Sequence, residues 1–223
     1  MRMAGLVAVL LLLAGCSQSV GGEAERIEPI PPRSTTASPT TTTTAPAQPP
    51  AAGAAVADVI AWIEAGVPAD ADQYHVAFRD GATNQLGDDV AFRTPSSTSQ
   101  CMTDATNSDG ALACLVDLAD PPPRPADVYG EWKGGWVDYD GTTVTVGSVH
   151  GDPGRFTAGV GPELPYGQVL AFGDYRCRAD TAGLFCVNYA HRSAIRLSDA
   201  GVEPFGCLKP ATAPPQIGEM FSC

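Results

Sequence analysis

Trp136-Val-Asp-Tyr-Asp-Gly-Thr-Thr-Val-Thr-Val146 has an alternating pattern that indicates the fold class of this chain. Apolar and polar residues alternate on both sides of Asp140-Gly141, which is typical of two half-buried strands. Asp-Gly is also a dipeptide that closes a tight two-residue hairpin. The stretch therefore predicts an antiparallel hairpin with strands at residues 136–139 and 142–146.

Further short strands are predicted on both sides of this hairpin. Residues 74–79 alternate with period two and end at an Asp80-Gly81 turn. About eight strands follow one another at short intervals with no helical pattern between them, which favours an all-β fold, an antiparallel sandwich or a barrel-like arrangement. The remaining predicted strands lie around Val90 and Phe92 and at residues 112–118, 169–175, 184–189 and 193–197.

One short N-terminal helix is predicted ahead of the strands. Four apolar residues, beginning at Val56 and ending at Ile63, recur at i, i+3, i+4 and i+7 and so form one apolar face. Gly66 and Pro68 then end the pattern, as a glycine and a following proline commonly do. We expect this helix to pack on a sheet, with Trp62 closing the edge.

The chain opens with the pattern of a secretory signal peptide. Arg2 precedes nine uninterrupted apolar residues, 6–14, and the run is too short to span a bilayer as a helix. Its last four residues, Leu13-Ala14-Gly15-Cys16, resemble the lipobox of bacterial lipoproteins. The resemblance implies removal of residues 1–15 and attachment of diacylglycerol and palmitate to Cys16. The protein would then be anchored to the extracytoplasmic side of the cell membrane.

A linker separates this anchor from the globular region. Residues 34–44 contain seven threonines, and prolines are frequent before and after them. Such a segment has little apolar surface to bury, so we expect residues 16–53 to form a disordered Thr/Pro-rich tether. Residues 54–223 are predicted to form a single globular β domain.

The cysteines support an exported, disulfide-stabilised domain. Six remain after Cys16, an even number that in an oxidising compartment predicts three disulfides. Fifteen connectivities are possible, and we expect the sequential one. A Cys-x2-Cys pair and a suitably spaced histidine are both lacking, so we predict no metal site at these cysteines. They are Cys101, Cys114, Cys177, Cys186, Cys207 and Cys223.

The charge of the chain excludes one class of partner. The formal net charge is −12, and Lys133 and Lys209 are the only two lysines. An acidic surface repels a phosphate backbone, so the sequence argues against nucleic-acid binding.

Four segments carry a family resemblance. They are Phe92-Arg-Thr-Pro-Ser, Leu164-Pro-Tyr-Gly-Gln, Gly173-Asp-Tyr-Arg-Cys177 and Gly183-Leu-Phe-Cys186-Val-Asn. Together they resemble an uncharacterised actinobacterial family of exported proteins, and the whole chain is similar to mycobacterial cell-envelope lipoproteins of the LppI-like type. The resemblance implies a compartment and a fold but assigns no activity. Asn188-Tyr-Ala-His191 stands where that family has a Gly-His-Gly-Phe segment.

Aromatic and acidic residues concentrate in one place and form the candidate ligand-binding set. Trp132, Trp136, Asp138 and Tyr139 lie within eight residues, and an exposed tryptophan beside carboxylates can hold a sugar ring. The alternative is that both tryptophans seal the core beneath the proline run at residues 121–123, since large aromatic residues are mostly core material.

Motifs for catalysis are weak. Ser148-Val-His150-Gly-Asp152 contains the residue types of a triad, but neighbours in sequence do not point to one place. A Gly-x-Ser-x-Gly elbow and a His-Glu-x-x-His helix are absent from the sequence. Asp138 and Asp140 fit the spacing of paired glycosidase acids or a fragment of a calcium loop. We predict no catalytic residue, cofactor or metal, and expect His75 and His191 to be partly buried strand residues.

These observations predict a lipid-anchored cell-envelope lipoprotein with a non-catalytic domain. Its partners would be the membrane, through the lipid anchor, and an envelope glycan, lipid or protein. The alternatives are an envelope hydrolase acting on glycan or ester, and a lipid carrier, which would need a deep apolar cavity.

Overall fold

The structure is a computed structural model that describes residues 48–150 and 154–223. The predicted signal peptide, Cys16 and nearly all of the tether lie outside the described residues, as does Asp152. Among the residues that the structure describes, none of the helical segments has both the length and the apolar composition that spanning a bilayer requires.

Two large sheets dominate the fold, and the all-β prediction is confirmed. The first sheet has six strands, and only the pairing of its edge strand β1 with β9 is parallel. Its spatial order is β1 (Val67–Pro68), β9 (Gln168–Phe172), β10 (Tyr175–Asp180), β11 (Gly183–Asn188), β12 (Ser193–Ser198) and β13 (Gly201–Phe205).

The second sheet has seven strands, all antiparallel. A separate hairpin and four short helical segments complete the described chain. The sheet runs β14 (Lys209–Ala211), β15 (Glu219–Ser222), β8 (Thr143–Val149), β7 (Trp132–Tyr139), β6 (Leu112–Val116), β5 (Ser99–Thr103) and β4 (Ala91–Arg93). The hairpin is β2 (Val76–Arg79) with β3 (Ala82–Gln85), and the helices are α1 (Val56–Glu64), α2 (Ala105–Ser108) and 3₁₀ turns at Ala71–Tyr74 and Gly154–Ala158.

The two sheets pack face to face as an open sandwich. Alternate residues of β7 and β8, such as Val137 and Val146, meet Leu170 and Ile195 of the first sheet in one buried cluster. Both sheets keep two free edges, so the described strands do not close into a barrel. Period-two alternation produces this arrangement because every second side chain of a strand faces the same way.

Each sheet also has a covered outer face. On the first sheet, Val59, Trp62 and Ile63 of α1 pack on Phe185 and its neighbours, so the predicted helix and its packing are confirmed. The Trp62 and Phe185 rings lie 4.6 Å apart. On the second sheet, the β2–β3 hairpin and the second 3₁₀ turn cover Trp136, which joins a small buried cluster with Phe156.

The three disulfides follow the sequential connectivity that was predicted. Cys101 and Cys114 are directly opposite each other on β5 and β6, and Cys177 and Cys186 are opposite each other on β10 and β11. Both pairs are buried in the core shared by the two sheets, while Cys207–Cys223 joins the segment after β13 to the last residue. Two of the disulfides therefore cross-link neighbouring strands, one pair of strands in each sheet.

The predicted hairpin at Asp140-Gly141 forms, with Tyr139 opposite Val144, but its strands are longer than predicted, since β7 begins at Trp132 and β8 ends at Val149. Other boundaries were wrong. The strand predicted at residues 169–175 is two strands, because Gly173 has a φ of +44° and Gly173-Asp174 turns the chain back on itself. Between Cys101 and Cys114 the chain completes β5 and then forms the short helix α2, whose first turn is capped by the Asp104 side chain.

Candidate functional site

The predicted aromatic and acidic residues lie in or against the core. Trp136 and Tyr139 have no exposed surface, on opposite faces of β7. Trp132 is half-buried, and its Nε1 donates to the Pro122 carbonyl at 3.1 Å, so the core alternative beneath the proline run describes this ring. Because buried rings have no free face for a sugar, only Asp138 and part of Trp132 remain accessible. Ligand binding by these four residues stays a prediction.

Asp138 already has three partners on the outer face of the second sheet. Its Oδ2 accepts from Trp136 Nε1 at 3.0 Å, and its Oδ1 lies 2.8 Å from Arg155 Nη1. The His150 ring stacks on Trp136 at 3.5 Å and places Nε2 4.0 Å from Oδ2. Burial lowers the pKa of His150, and the nearby Asp138 only partly opposes this effect. These contacts pair the Asp138 charge with Arg155 and hold the second 3₁₀ turn on the sheet, but of the two carboxylate oxygens only Oδ2 accepts a hydrogen bond within the described residues.

A different group of carboxylates surrounds an open pocket at one end of the sandwich. We call it the acidic pocket, and its volume is about 280 Å³. It is built from five connections, β3–β4, β5–β6, β7–β8, β9–β10 and β11–β12, which converge on the gap between the sheets. Its charged residues are Asp88, Asp89, Asp109, Asp140, Asp174 and, when protonated, His191.

Local hydrogen bonds fix two of these carboxylates. Asp89 Oδ1 accepts from the Thr103 hydroxyl and from the Ala105 amide, both at 2.8 Å, which ties the β3–β4 loop to the end of β5. Asp140 Oδ1 accepts from the amides of Thr142 and Thr143, both at 2.7 Å, and so closes the β7–β8 turn. Each carboxylate retains a second oxygen as an acceptor.

Gly141 allows the two sheets to approach at the base of the pocket. Its φ is +95°, and a Cβ there would lie 2.6 Å from the Asn188 side chain and 2.8 Å from the His191 ring. A larger residue would therefore push the β7–β8 turn away from the β11–β12 turn. Asn188 Oδ1 in turn accepts from the His191 amide at 3.1 Å, which sets the position of His191.

Aromatic residues form one wall of the pocket. The rings of Phe172 and Tyr175 are stacked, 5.5 Å apart and 20° from parallel. The Tyr175 hydroxyl donates to the Tyr139 carbonyl at 2.9 Å, and burial raises the pKa of Tyr175 to about 12. The wall is therefore rigid and uncharged at neutral pH, and an aromatic face attracts cations.

The charged side chains that line the acidic pocket are mainly negative. Five aspartates line it, and the described lining includes no lysine or arginine. The carboxylates are spread around the rim, and within the described part of the chain no three His, Cys, Asp or Glu residues are placed to hold a metal ion. The geometry is suited to an organic cation with several separated donors.

Some residues of the two sites were predictable from the sequence, but their grouping was not. Asp138 and Asp140 have the spacing of paired acids in the sequence, yet β7 ends at Tyr139 and Asp140 belongs to the turn that lines the pocket. The prediction that His75 and His191 are partly buried strand residues was wrong in part. His75 is half-buried, with Nδ1 2.8 Å from the Asp89 carbonyl, but it lies just before β2. His191 is an exposed residue of a turn. The sequence feature that could have indicated the acidic pocket is the presence of aspartates at predicted turns, namely Asp88, Asp89, Asp140 and Asp174.

Comparisons with known protein families, with curated proteins and with solved structures found no match to this chain.

Proposed function

We propose that this chain is a lipid-anchored, extracytoplasmic binding module whose acidic pocket takes a cationic side chain of an envelope protein. The concentration of five carboxylates around one pocket carries the proposal. The anchor rests on the lipobox-like Leu13-Ala14-Gly15-Cys16 and on the Thr/Pro tether in the sequence. Three disulfides fit an oxidising compartment outside the cytoplasm.

Charge supports a cationic partner. Bringing several carboxylates to one rim raises the local negative potential, and a cation that enters relieves their mutual repulsion. The net charge of −12 adds a long-range attraction for basic partners. The Phe172 and Tyr175 wall would contact the apolar stem or the charged head of an arginine or lysine.

The size and layout of the pocket support a side chain rather than a metal ion. A volume of about 280 Å³ exceeds what one hydrated ion needs, and the carboxylates do not converge on a point. An arginine fits because its guanidinium has five donors in a planar fork, which can reach carboxylates on different loops. We therefore infer that a basic segment of a protein is the natural occupant.

Binding of a basic peptide to the full chain in detergent tests this function. The probe is a fluorescein-labelled tetra-arginine peptide, followed by fluorescence anisotropy at about 50 mM salt, where charges in contact are screened much less than distant ones. The test variant is Asp88→Asn with Asp174→Asn, since both carboxylates line the pocket and neither makes a side-chain hydrogen bond within the described residues. The matched control is Asp58→Asn with Asp72→Asn, which changes the net charge equally at two exposed residues outside the pocket.

The pocket variant is expected to raise the peptide Kd about fivefold or more, because two nearby Coulomb attractions are lost. The control is expected to change the Kd by less than about twofold, since distant charges are screened. Equal weakening in both variants would show that net charge alone attracts the peptide. Absence of binding to the unmodified chain would overturn the proposal.

A further inference from the structure

A second, smaller pocket lies at the opposite end of the sandwich. Successive turns of an antiparallel meander alternate between its two ends. The acidic pocket uses the β9–β10 and β11–β12 turns, whereas this second pocket uses the β4–β5, β10–β11 and β12–β13 turns. We call it the hydroxyl pocket, and from its lining we infer that it binds one neutral sugar ring.

Hydroxyl side chains dominate one side of this pocket. Thr94 Oγ1 lies 3.1 Å from Ser96 Oγ, which lies 2.8 Å from Thr98 Oγ1. Ser198 contributes another hydroxyl from the β12–β13 turn, on the facing sheet. Thr94 is buried and its hydroxyl also bonds the Ser99 backbone, so it positions the row rather than meeting a ligand. Ser96 is exposed and Thr98 is half-buried, and a hydroxyl both donates and accepts, so these two can pair with sugar hydroxyls in either direction.

Two carboxylates face the same space from the first sheet. Asp180 Oδ1 accepts from the Ala182 amide at 2.9 Å, which fixes the β10–β11 turn and leaves Oδ2 as an acceptor. Asp199 is exposed on the β12–β13 turn, and its backbone carbonyl accepts from the Ala119 amide at 2.8 Å. Because a carboxylate has two acceptor oxygens, each can receive hydrogen bonds from two adjacent hydroxyls of one ring.

An exposed aromatic ring also lines the hydroxyl pocket. Tyr166 lines the hydroxyl pocket with 43% of its surface exposed, although tyrosine rings in this fold are otherwise mostly buried or half-buried. A flat aromatic face beside hydrogen-bonding groups suits the apolar face of a sugar, whose C–H groups are on one side and whose hydroxyls project outward. Aromatic stacking and directed hydrogen bonds therefore meet at one place.

Size and charge separate this pocket from the acidic one. Its volume of about 130 Å³ is below the range of drug-sized sites, so it admits about one ring. Its lining contains two carboxylates and five serine or threonine hydroxyls, whereas the lining of the acidic pocket contains five carboxylates. A polyhydroxylated neutral ligand matches this lining better than a cation does.

Saturation-transfer NMR on the full chain in detergent tests the inference. The probes are the methyl glycosides of glucose, galactose, mannose and N-acetylglucosamine, each at about 10 mM, with lysine methyl ester as a cationic probe. Tyr166→Ala removes the stacking face, and Asp199→Asn removes one carboxylate. Tyr129→Ala is the control, because Tyr129 is 93% exposed and lies outside the hydroxyl pocket.

At least one glycoside is expected to receive saturation from the unmodified chain and from Tyr129→Ala. The signal should fall about tenfold in Tyr166→Ala and severalfold in Asp199→Asn, since each removes a direct contact. Absence of signal from every glycoside, or a signal that persists in Tyr166→Ala, would overturn the inference. Saturation of the lysine ester that is lost on Asp199→Asn, without any sugar signal, would assign the pocket to cations instead.

Discussion

The Tyr139 hydroxyl of the second sheet lies 2.7 Å from Ser193 Oγ of the first sheet and donates to the Ser193 carbonyl at 2.9 Å. Ser193 Oγ also donates to the Gly141 carbonyl, and the Tyr175 hydroxyl donates to the Tyr139 carbonyl. These buried polar contacts join the two sheets directly beneath the acidic pocket. Because buried hydrogen bonds are directional, they fix the spacing of the turns that supply its carboxylates.

Replacing Tyr139 by phenylalanine is expected to destabilise the domain by about 1–3 kcal/mol, because the buried Ser193 groups lose a partner. Urea unfolding followed by tryptophan fluorescence measures the change. Tyr129→Phe, at a residue that is 93% exposed, should leave the free energy of unfolding unaltered. An unchanged midpoint for Tyr139→Phe would show that the contact contributes nothing to the packing of the sheets.

Removing the Cys177–Cys186 disulfide by alanine at both positions is expected to cost about 2–4 kcal/mol. Both side chains are fully buried, so lost core packing adds to the loss of the cross-link. Alanine at Cys207 and Cys223, which are exposed, should cost less under the same non-reducing conditions. Thermal unfolding compares the two variants, and an equal or larger loss for the Cys207–Cys223 pair would contradict the assignment of the central disulfide to the core.

Alkaline pH is expected to weaken the fold through Tyr175. Its pKa is near 10 in the unfolded chain and about 12 in the folded one, so the folded state holds a proton that the unfolded state releases. The stabilisation is complete below pH 10 and is lost as the pH rises toward 12, by roughly 1.4 kcal/mol per pH unit. Urea midpoints at pH 9 and pH 11 test this slope, which should be shallower in Tyr175→Phe. Identical slopes in the two chains would contradict the effect.

Cys16 is expected to be the acylated first residue of the mature chain. Intact mass spectrometry of the protein purified from membranes should give the mass of residues 16–223 with attached lipid and three disulfides. A Cys16→Ala chain should be recovered without lipid and away from the membrane fraction. A mature protein that retains residues 1–15 and carries no lipid would contradict the lipoprotein assignment.

Local patterns predicted the parts of the fold that depend on nearby residues. Alternation and the Asp140-Gly141 turn specify one hairpin, and the short separation between Cys177 and Cys186 specifies a disulfide across another.

The Cys177–Cys186 disulfide of the first sheet has a counterpart in the second sheet, Cys101–Cys114. Each sheet contains a five-strand meander, β4–β8 or β9–β13, with a disulfide between its second and third strands, an arrangement that an internal duplication would produce.

The acidic pocket was not predictable in the same way. Asp88 and Asp174 are far apart in sequence, and only the packing of one sheet on the other brings their loops together. The candidate role of Trp136 as an exposed ring also depended on tertiary structure. Alternation shows which face of β7 the ring is on, but it does not show that the β2–β3 hairpin and the second 3₁₀ turn cover that face. Which face of a strand meets solvent is a tertiary property.

The most direct test of the binding function is to locate the bound cation by NMR. The amide resonances of the isotopically labelled full chain in detergent would be followed during titration with the tetra-arginine peptide. Saturable shifts are expected at four residues that line the acidic pocket, Gly110, Asp140, Gly173 and His191, while Asp199 of the hydroxyl pocket should be unaffected. Shifts spread evenly over the acidic surface, or centred away from these four residues, would contradict the proposed function.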